Sequence, residues 1–265
     1  MIISGKELAE QIYQELANTV SHLTVKPHVT IVTCAPTAAT YTYLTYKLAA
    51  AKRVGIRTSL IELPAESTTA DCITAIEKAS MQTDGIVVQL PLPAHIDTET
   101  VIASIPPSYD VDGLRYPKRQ TMFLPPVAAA VAEIVRTYGV TFVDKKVVVV
   151  GYGRLVGQAC TAYLQKIGIE PTVVTETTED KASIIASADV LILGTGQPSL
   201  ITPAQIKEGV LIFDAGTAEL GGKLRGDADP SCAEKASLFT PVPNGIGPLT
   251  IATLLKNCLL ATTHE

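Results

Sequence analysis

The sequence predicts an α/β protein whose strands form parallel sheets in two successive parts of the chain. Short apolar runs rich in Val and Ile alternate with segments of helical periodicity. Two of these runs, 86–88 and 147–150, are apolar on both faces, as strands buried inside parallel sheets are. Each run is followed by a break, at Pro91 or at Gly151, and α/β sheets bind ligands where their strands end.

The elements of the first part follow in order along the chain. Apolar residues four apart, from Leu8 to Val20, predict a first helix over residues 5–23. Strands are predicted at 29–33, 58–63 and 86–88, with helices at 40–54 and 67–80 between them. This alternation predicts right-handed βαβ crossovers.

The second part repeats the alternation after a proline-rich loop. Pro106-Pro107 and the loop that continues to residue 124 interrupt the pattern, and we place a domain boundary near residue 120. A helix over 127–138 is followed by strands at 147–150, 172–175, 190–193 and 210–213, with a helix from the glycine-rich turn to about residue 167 and a last helix at 248–261.

Composition excludes several classes of function. The 265 residues carry a net charge of −5 without a basic cluster, which argues against nucleic acid as a partner. The five cysteines are scattered, so we expect buried thiols in a reducing compartment and no metal site. We find no signal-peptide pattern and no apolar run of membrane-spanning length, and we expect a soluble, cytoplasmic protein without a membrane partner.

A glycine-rich turn predicts a dinucleotide site of the Rossmann type. Gly151-Tyr152-Gly153-Arg154-Leu-Val-Gly157 lies between a buried strand and a helix, so a pyrophosphate can approach the turn and the helix N-terminus. The spacing is G-x-G-x-x-x-G. Glu176 ends the next strand, where an acidic residue bonds a ribose hydroxyl. We also assign Thr217, next to the glycine that follows a later strand, to this site.

The charges leave the choice of cofactor open. Glu176 repels the 2′-phosphate of NADP and so favours NAD, whereas Arg154 could pair with that phosphate. We therefore predict NAD or NADP.

Polar residues form a second constellation in the first part of the chain. Tyr43 and Lys47 lie four apart on one helix face, Gln89 ends a strand, and Asp110 and Asp112 lie in a turn. Each also has a structural interpretation: a surface lysine packed along a tyrosine ring, an amide bonded to backbone, a simple turn. The segment Thr240 to Thr250, rich in Pro and Gly, is either a ligand-contacting loop or the start of the last helix.

Taken together, these motifs resemble a known family. Tyr-x-x-x-Lys, Val-Gln-Leu-Pro-Leu-Pro, Asp-Val-Asp-Gly, the glycine-rich turn and Thr-Pro-Val-Pro-x-Gly-x-Gly-Pro-x-Thr occur here in the order found in bifunctional methylenetetrahydrofolate dehydrogenase/methenyltetrahydrofolate cyclohydrolases. The resemblance covers essentially the whole chain. It implies an N-terminal α/β catalytic domain (1–120 with a returning helix, 246–265) and a Rossmann NAD(P) domain (121–245). Two long helices, 127–138 and 248–261, join them, and a homodimer is expected.

The resemblance also implies residue roles. Lys47 would serve the cyclohydrolase step, Tyr43 would stack near the pterin, Gln89 would bond Lys47, and Asp112 would bind the pterin ring. Substrate-binding positions are further implied at Val88, Leu90, Pro243, Asn244, Gly245, Ile246 and Gly247.

Two departures from the family pattern leave alternatives open. The chain has Pro125-Pro-Val-Ala128 where many relatives carry Pro-Cys-Thr-Pro, and it has Tyr152 and Glu176 where NADP-using relatives often carry Arg and His. A member with cyclohydrolase activity alone, a non-catalytic folate- or dinucleotide-binding protein, and another two-domain dehydrogenase are the alternatives.

Overall fold

The computed structural model describes residues 1–116 and 122–262. The chain divides into two compact units, which we call the first unit (Glu10–Pro125 and Ile251–Glu265) and the second unit (Met1–Ala9 and Pro126–Thr250). The boundary predicted near residue 120 lies outside the described residues. Across the two described ranges, no helix has the length and apolarity needed to cross a membrane.

The first unit is built on a parallel sheet of order β2-β1-β3. Its strands are β1 His28–Cys34, β2 Arg57–Leu63 and β3 Gly85–Val88. Its helices are α2 Ala38–Val54, α3 Thr69–Ser80 and α4 Thr98–Ser104, and α1 Gly5–His22 begins in the second unit and continues into the first. Because β1 and β3 are parallel neighbours, residues that follow both strands meet at one edge of the sheet.

Local signals fix the helix ends of the first unit. The side chain of Thr37 caps α2, and Thr68 forms a capping box with Asp71 at the start of α3. Gly55 ends α2 in the left-handed conformation, with φ 82°. α4 was not predicted, because its seven residues are too few to show a helical period.

The second unit contains a five-stranded parallel sheet of order β10-β7-β6-β4-β5. Its strands are β4 Val147–Val150, β5 Thr172–Val174, β6 Val190–Leu193, β7 Leu211–Asp214 and β10 Leu238–Phe239, with a separate hairpin of β8 Ala218–Leu220 and β9 Lys223–Arg225. Its helices are α5 Pro126–Thr137, α6 Ala159–Lys166 and α7 Lys181–Ala186, and α8 Ile246–Ala261 crosses from the second unit into the first.

Burial explains why the central strands were predictable and the peripheral elements were not. Every residue of β4 and β6 is buried, which gives the continuous apolar runs that the sequence shows. β8, β9, β10 and α7 have two to six residues each, and none was predicted. The glycine-rich turn leads first into a π-helix at Arg154–Gln158 and only then into α6. The predicted α/β class with parallel sheets is confirmed.

Candidate active site

Lys47 is the centre of the polar cluster in the first unit. Its side chain is only 6% exposed, and its Nζ donates a hydrogen bond of 3.1 Å to Oε1 of Gln89. The Nζ atom also lies 5.0 Å from the centre of the Tyr43 ring, one turn earlier on α2. Leu44 is buried beside it and anchors the helix. Lys47 is therefore a buried residue, and the interpretation of it as a surface lysine packed along a tyrosine ring is wrong.

Gln89 lies where the chain leaves the sheet. Its N–H bonds the carbonyl of Val32 on β1 at 2.8 Å, and its own Nε2 donates to the carbonyl of Leu90 at 3.0 Å. These two bonds orient Oε1 towards Lys47. Because the acceptor is a neutral amide, the lysine amine is bound without a carboxylate that would hold it in the charged form.

Two predicted substrate-binding residues flank Gln89. Val88 is fully buried in the core of the first unit, whereas Leu90 is half-buried and packs against that core. Leu90 therefore presents part of its side chain to solvent and Val88 does not.

The turn of the two aspartates has a buried and a partly exposed member. Asp110 is 0% exposed, and its carboxylate accepts the N–H groups of Leu114 at 3.0 Å and Arg115 at 2.9 Å. Burial raises the pKa of Asp110 to about 6, against the lowering effect of these two N–H groups. Asp110 therefore has a structural role, because its carboxylate holds the backbone of the turn. Asp112, in the same turn, is half-buried.

Asn257 holds the same loop from α8 and was missed in the sequence. Its Nδ2 donates to the carbonyls of Val111 and Leu124, each at 2.9 Å, so one buried amide ties together both ends of the loop that carries Asp112. The signal was present as a polar residue within the apolar stretch of the last helix.

Cys258, the next residue on α8, lies within electrostatic range of both Lys47 and Asp112. Burial is the largest cause of the raised pKa of its thiol; the charge of Asp112 raises that pKa further and the charge of Lys47 lowers it. Lys47 and Asp112 are therefore brought close to the same buried position of the first unit.

We expect Asn257→Leu to lower the free energy of unfolding by about 1–3 kcal/mol, because one buried and one partly buried carbonyl lose their donor. Chemical denaturation at neutral pH measures the change. Asn18→Leu, which makes the same substitution at an exposed position of α1, is the control and should change stability by about 0.5 kcal/mol or less. Equal stability of the two variants would contradict a stabilising role for the two Asn257 hydrogen bonds.

The raised pKa of Asp110 predicts a pH dependence of stability. Between its ordinary value of 3.8 and about 6, the folded state binds the proton and the unfolded state has lost it. The stability that Asp110 contributes therefore falls as pH rises across this window, by about 3 kcal/mol in total. The difference in unfolding free energy between the natural chain and Asp110→Asn, measured from pH 4 to pH 7, should fall by most of this amount; a difference that rises with pH would contradict the assignment.

The second unit contains a cleft of about 590 Å³ at the carboxyl ends of β4, β5 and β6. Gly151, Tyr152, Gly153 and Glu176, all predicted to bind the cofactor, line it. A Cβ on Gly157 would lie 2.1 Å from the carbonyl oxygen of Gly151, so this position requires glycine for the turn to close against the helix. A Cβ on Gly153 would meet no atom within 4 Å among the described residues, which leaves backbone accessible to a phosphate.

Three predicted cofactor residues do not line this cleft. Gly157 is buried behind the turn, Arg154 is half-buried in the π-helix, and Thr217 is exposed just before β8. The lining residues that were not predicted include Lys181, the first residue of α7, and Gln197, whose Nε2 lies 3.4 Å from Oε1 of Glu176. Neither belongs to a recognisable sequence motif.

The segment 243–247 also lies in the second unit. Asn244 has a positive φ of 78°, and Gly245 is packed so closely that a Cβ would lie 2.4 Å from the carbonyl oxygen of Pro241. Ile246 is buried, while Pro243, Asn244 and Gly247 are exposed. The close packing thus concerns Gly245 alone, and the Gly247 backbone is open.

Metal ligation finds no support in the described ranges, where no group of three or more His, Cys, Asp or Glu side chains could hold an ion.

Comparisons with known proteins cover the whole chain. Residues 3–112 match the tetrahydrofolate dehydrogenase/cyclohydrolase catalytic domain, and residues 125–265 match the NAD(P)-binding domain of the same family. The bifunctional protein FolD of Nautilia profundicola is 35% identical, with 99% of this chain and 97% of the relative covered, and that of Bordetella avium is 36% identical, with 98% and 96% covered.

Solved structures agree with the sequence matches. The bifunctional FolD dehydrogenase/cyclohydrolase of Campylobacter jejuni has a TM-score of 0.94 at 29% identity, covering 99% of this chain and 98% of that one. The Trypanosoma brucei enzyme, solved with NADP and an inhibitor, has a TM-score of 0.90 at 31% identity, covering 100% and 99%. The chain therefore belongs to the tetrahydrofolate dehydrogenase/cyclohydrolase family.

Proposed function

We propose that this protein oxidises 5,10-methylenetetrahydrofolate to 5,10-methenyltetrahydrofolate with NAD(P)⁺ and hydrolyses the product to 10-formyltetrahydrofolate. The observation that carries the proposal is the buried hydrogen bond between Lys47 and Gln89, in the unit that also holds Asp112. A non-catalytic binder does not require a buried amine on a neutral acceptor. The full-length similarity to bifunctional relatives supports both activities over cyclohydrolase alone.

Asp112 orients the substrate in this proposal. The 2-amino group and the N3–H of a pterin form a fork of two donors, and a carboxylate can accept both in parallel. The loop that carries Asp112 is held by Asp110 on one side and by Asn257 on the other, so the carboxylate is positioned before the folate arrives. Tyr43, partly exposed beside Lys47, offers a ring face for the pterin.

The first reaction is a hydride transfer. The carbon that bridges the two folate nitrogens gives up a hydride and becomes a methenyl cation, and the nicotinamide, when bound, accepts that hydride. This step depends on alignment of the two reactants more than on an acid or a base. The contribution of the chain is therefore to hold the folate in the first unit and the dinucleotide in the second.

The second reaction is a hydrolysis in which Lys47 moves a proton. Water adds to the methenyl carbon and loses one proton, which gives a neutral hydroxyl adduct. The bond from that carbon to one ring nitrogen then breaks as the nitrogen takes up a proton. The hydroxyl loses its remaining proton to solvent as the formyl carbonyl forms, so the hydrolysis releases one proton overall. The Lys47 amine can accept the first proton and return one to the nitrogen. Gln89 keeps the amine in place throughout, because its oxygen accepts a hydrogen bond from either form of the amine.

Seven further positions remain proposed substrate-binding residues: Val88, Leu90, Pro243, Asn244, Gly245, Ile246 and Gly247. Leu90 and the exposed backbone around Gly247 can contact a ligand directly. Val88, Gly245 and Ile246 are buried and would act by holding their neighbours in place.

The cleft of the second unit fits the adenosine side of NAD or NADP. Glu176 can accept hydrogen bonds from ribose hydroxyls, and Lys181 can attract a 2′-phosphate. We propose Gly151, Tyr152, Gly153, Glu176 and Lys181 as cleft contacts. Arg154, Gly157 and Thr217 remain proposed cofactor residues that act from outside the cleft lining.

We expect Glu176→Ser to raise the ratio of kcat/KM with NADP to kcat/KM with NAD by about tenfold, because a repulsive charge is removed from the 2′ position. Lys181→Ala should lower the same ratio. Glu179→Ser, an exposed acid that does not line the cleft, is the control and should leave the ratio unchanged. A ratio that is identical in all three variants would contradict the two roles.

We further propose a catalytic domain of residues 1–120 with the returning helix 246–265, a nucleotide domain of residues 121–245, and a homodimer located in the cytoplasm. All five cysteines are buried free thiols, which suits a reducing compartment.

Light scattering at several protein concentrations tests the dimer, and a constant monomer mass would contradict it.

The proposed function is tested by two assays on the same preparation. The first follows formation of reduced nicotinamide from 5,10-methylenetetrahydrofolate with NAD and with NADP in parallel. The second follows loss of 5,10-methenyltetrahydrofolate. We expect activity in both. Absence of reduced nicotinamide with either cofactor would overturn the dehydrogenase, and hydrolysis at the uncatalysed rate would overturn the cyclohydrolase.

A further inference from the structure

A pair of buried carboxylates lies behind the cleft of the second unit. Asp214, at the end of β7, and Asp227, after β9, are each 1% exposed. One oxygen of Asp214 accepts the N–H groups of Gly216 at 3.0 Å and Asp227 at 3.2 Å, and the other accepts the N–H of Ala228 at 2.8 Å. Asp214 therefore fixes the backbone on both sides of Asp227.

Asp227 in turn holds a residue of the cleft wall. Its Oδ2 accepts the Thr195 N–H at 2.6 Å and the Thr195 hydroxyl at 2.9 Å. The Thr195 hydroxyl oxygen accepts the N–H of Gln197 at 3.1 Å, and the Gln197 side chain reaches Glu176. Thr195, Gln197 and Glu176 all line the cleft, whereas Asp227 does not.

The burial of these two carboxylates lowers the stability of the fold, so stability does not explain why they are present. Burial raises the pKa of Asp214 to about 7; the N–H of Ala228 opposes this shift, and the charge of Asp227 adds to it. Among the described residues, the second oxygen of Asp227 has no hydrogen-bond partner. Apolar side chains of similar volume would avoid both costs.

The backbone is shaped around the Asp227 carboxylate. A Cβ on Gly216 would lie 2.1 Å from its Cγ atom, so only glycine allows the chain to pass there. The segment is also tied to the cleft wall by main-chain bonds, from the N–H of Ser199 to Gly226 at 3.0 Å and from the N–H of Ile201 to Asp227 at 2.9 Å. These bonds do not involve the carboxylate and would survive its replacement.

From this geometry we infer that Asp227 is a positioning residue for dinucleotide binding. It acts through Thr195, whose two donors it holds, and so sets the loop 194–197 and the side chain of Gln197 beside Glu176. Asp227 does not touch the ligand. The inference rests on the proposed function, because it takes the cleft to be the dinucleotide site.

The direct test is Asp227→Asn, measured by equilibrium titration with the dinucleotide that the natural enzyme prefers. An amide oxygen accepts the Thr195 donors more weakly than a carboxylate, so we expect Kd and KM for the dinucleotide to rise about tenfold. The kcat at saturating dinucleotide should change little. Hydrolysis of the methenyl compound, which uses residues of the first unit, should be unchanged.

Two variants at Thr195 keep the carboxylate and change its partner. Thr195→Ser retains the hydroxyl and should bind dinucleotide as the natural chain does. Thr195→Val retains the shape but loses the hydroxyl, and it should weaken binding. If Asp227 acts through Thr195, Thr195→Val combined with Asp227→Asn should weaken binding by less than the product of the two single effects.

The outcomes separate the inference from the proposed function. If the natural chain binds neither NAD nor NADP, the proposed function fails and takes the inference with it. If the natural chain binds and a folded Asp227→Asn binds equally well, only the inference fails; it also fails if that variant loses both activities in equal measure, as a purely structural residue would. Should Asp227→Asn not fold, equal binding by Thr195→Ser and Thr195→Val overturns the inference, and weaker binding by Thr195→Val alone supports it.

Discussion

Replacing Lys47 by methionine is expected to lower hydrolysis of 5,10-methenyltetrahydrofolate by about 10²- to 10⁴-fold, the usual contribution of a positioned acid–base group. Methionine matches the lysine side chain up to Cε and removes the amine that is bonded to Gln89. Oxidation of 5,10-methylenetetrahydrofolate should fall far less, because hydride transfer needs no proton carrier. Steady-state rates of both reactions, measured on one preparation of the variant, give the difference between the two losses of activity.

Lys47→Arg distinguishes proton transfer from charge. Arginine keeps a positive charge at the same helix position but does not release its proton near neutral pH. We therefore expect it to fail in hydrolysis as the methionine variant does. Full hydrolysis by Lys47→Met would contradict the assigned role, and full hydrolysis by Lys47→Arg would show that charge alone suffices.

Asp112→Asn is expected to raise KM for folate substrates by about 10- to 100-fold in both reactions. The carboxylate can accept two pterin donors, whereas the amide has a single acceptor oxygen and turns a donor towards the second one. Because both reactions use the same folate, the two KM values should rise together. Initial rates at varied folate concentration measure them.

The control for this variant is Glu77→Gln, which makes the same charge change at an exposed position of α3. It should leave both KM values unchanged. A rise in the KM of only one reaction for Asp112→Asn would show that the two reactions do not share this contact.

Much of the fold was predictable because burial leaves a pattern in the sequence. The strands β3, β4 and β6 are buried along their whole length, and each appears as an uninterrupted apolar run. α7 and the hairpin of β8 and β9 left no such pattern. They are short and largely exposed, so neither period nor composition distinguishes them from loops.

The candidate site was predictable where its residues belong to short motifs. Lys47, Gln89 and Asp112 each lie within a few residues of a proline, a glycine or a helical repeat that marks the position. Asn257 and Asp227 act on residues distant in the sequence: Asn257 bonds the carbonyls of Val111 and Leu124, and Asp227 bonds Thr195. Such contacts depend on tertiary structure, which one sequence without its fold does not contain.

We propose that one folate site, formed around Lys47, Gln89 and Asp112, serves both reactions. The most direct measurement is inhibition of both reactions by one non-reactive folate analogue, with the natural chain and with Asp112→Asn. We predict a single inhibition constant for the two reactions in the natural chain and an equal weakening of both in the variant. Two different constants, or a variant in which inhibition of one reaction is unaffected, would contradict a shared site.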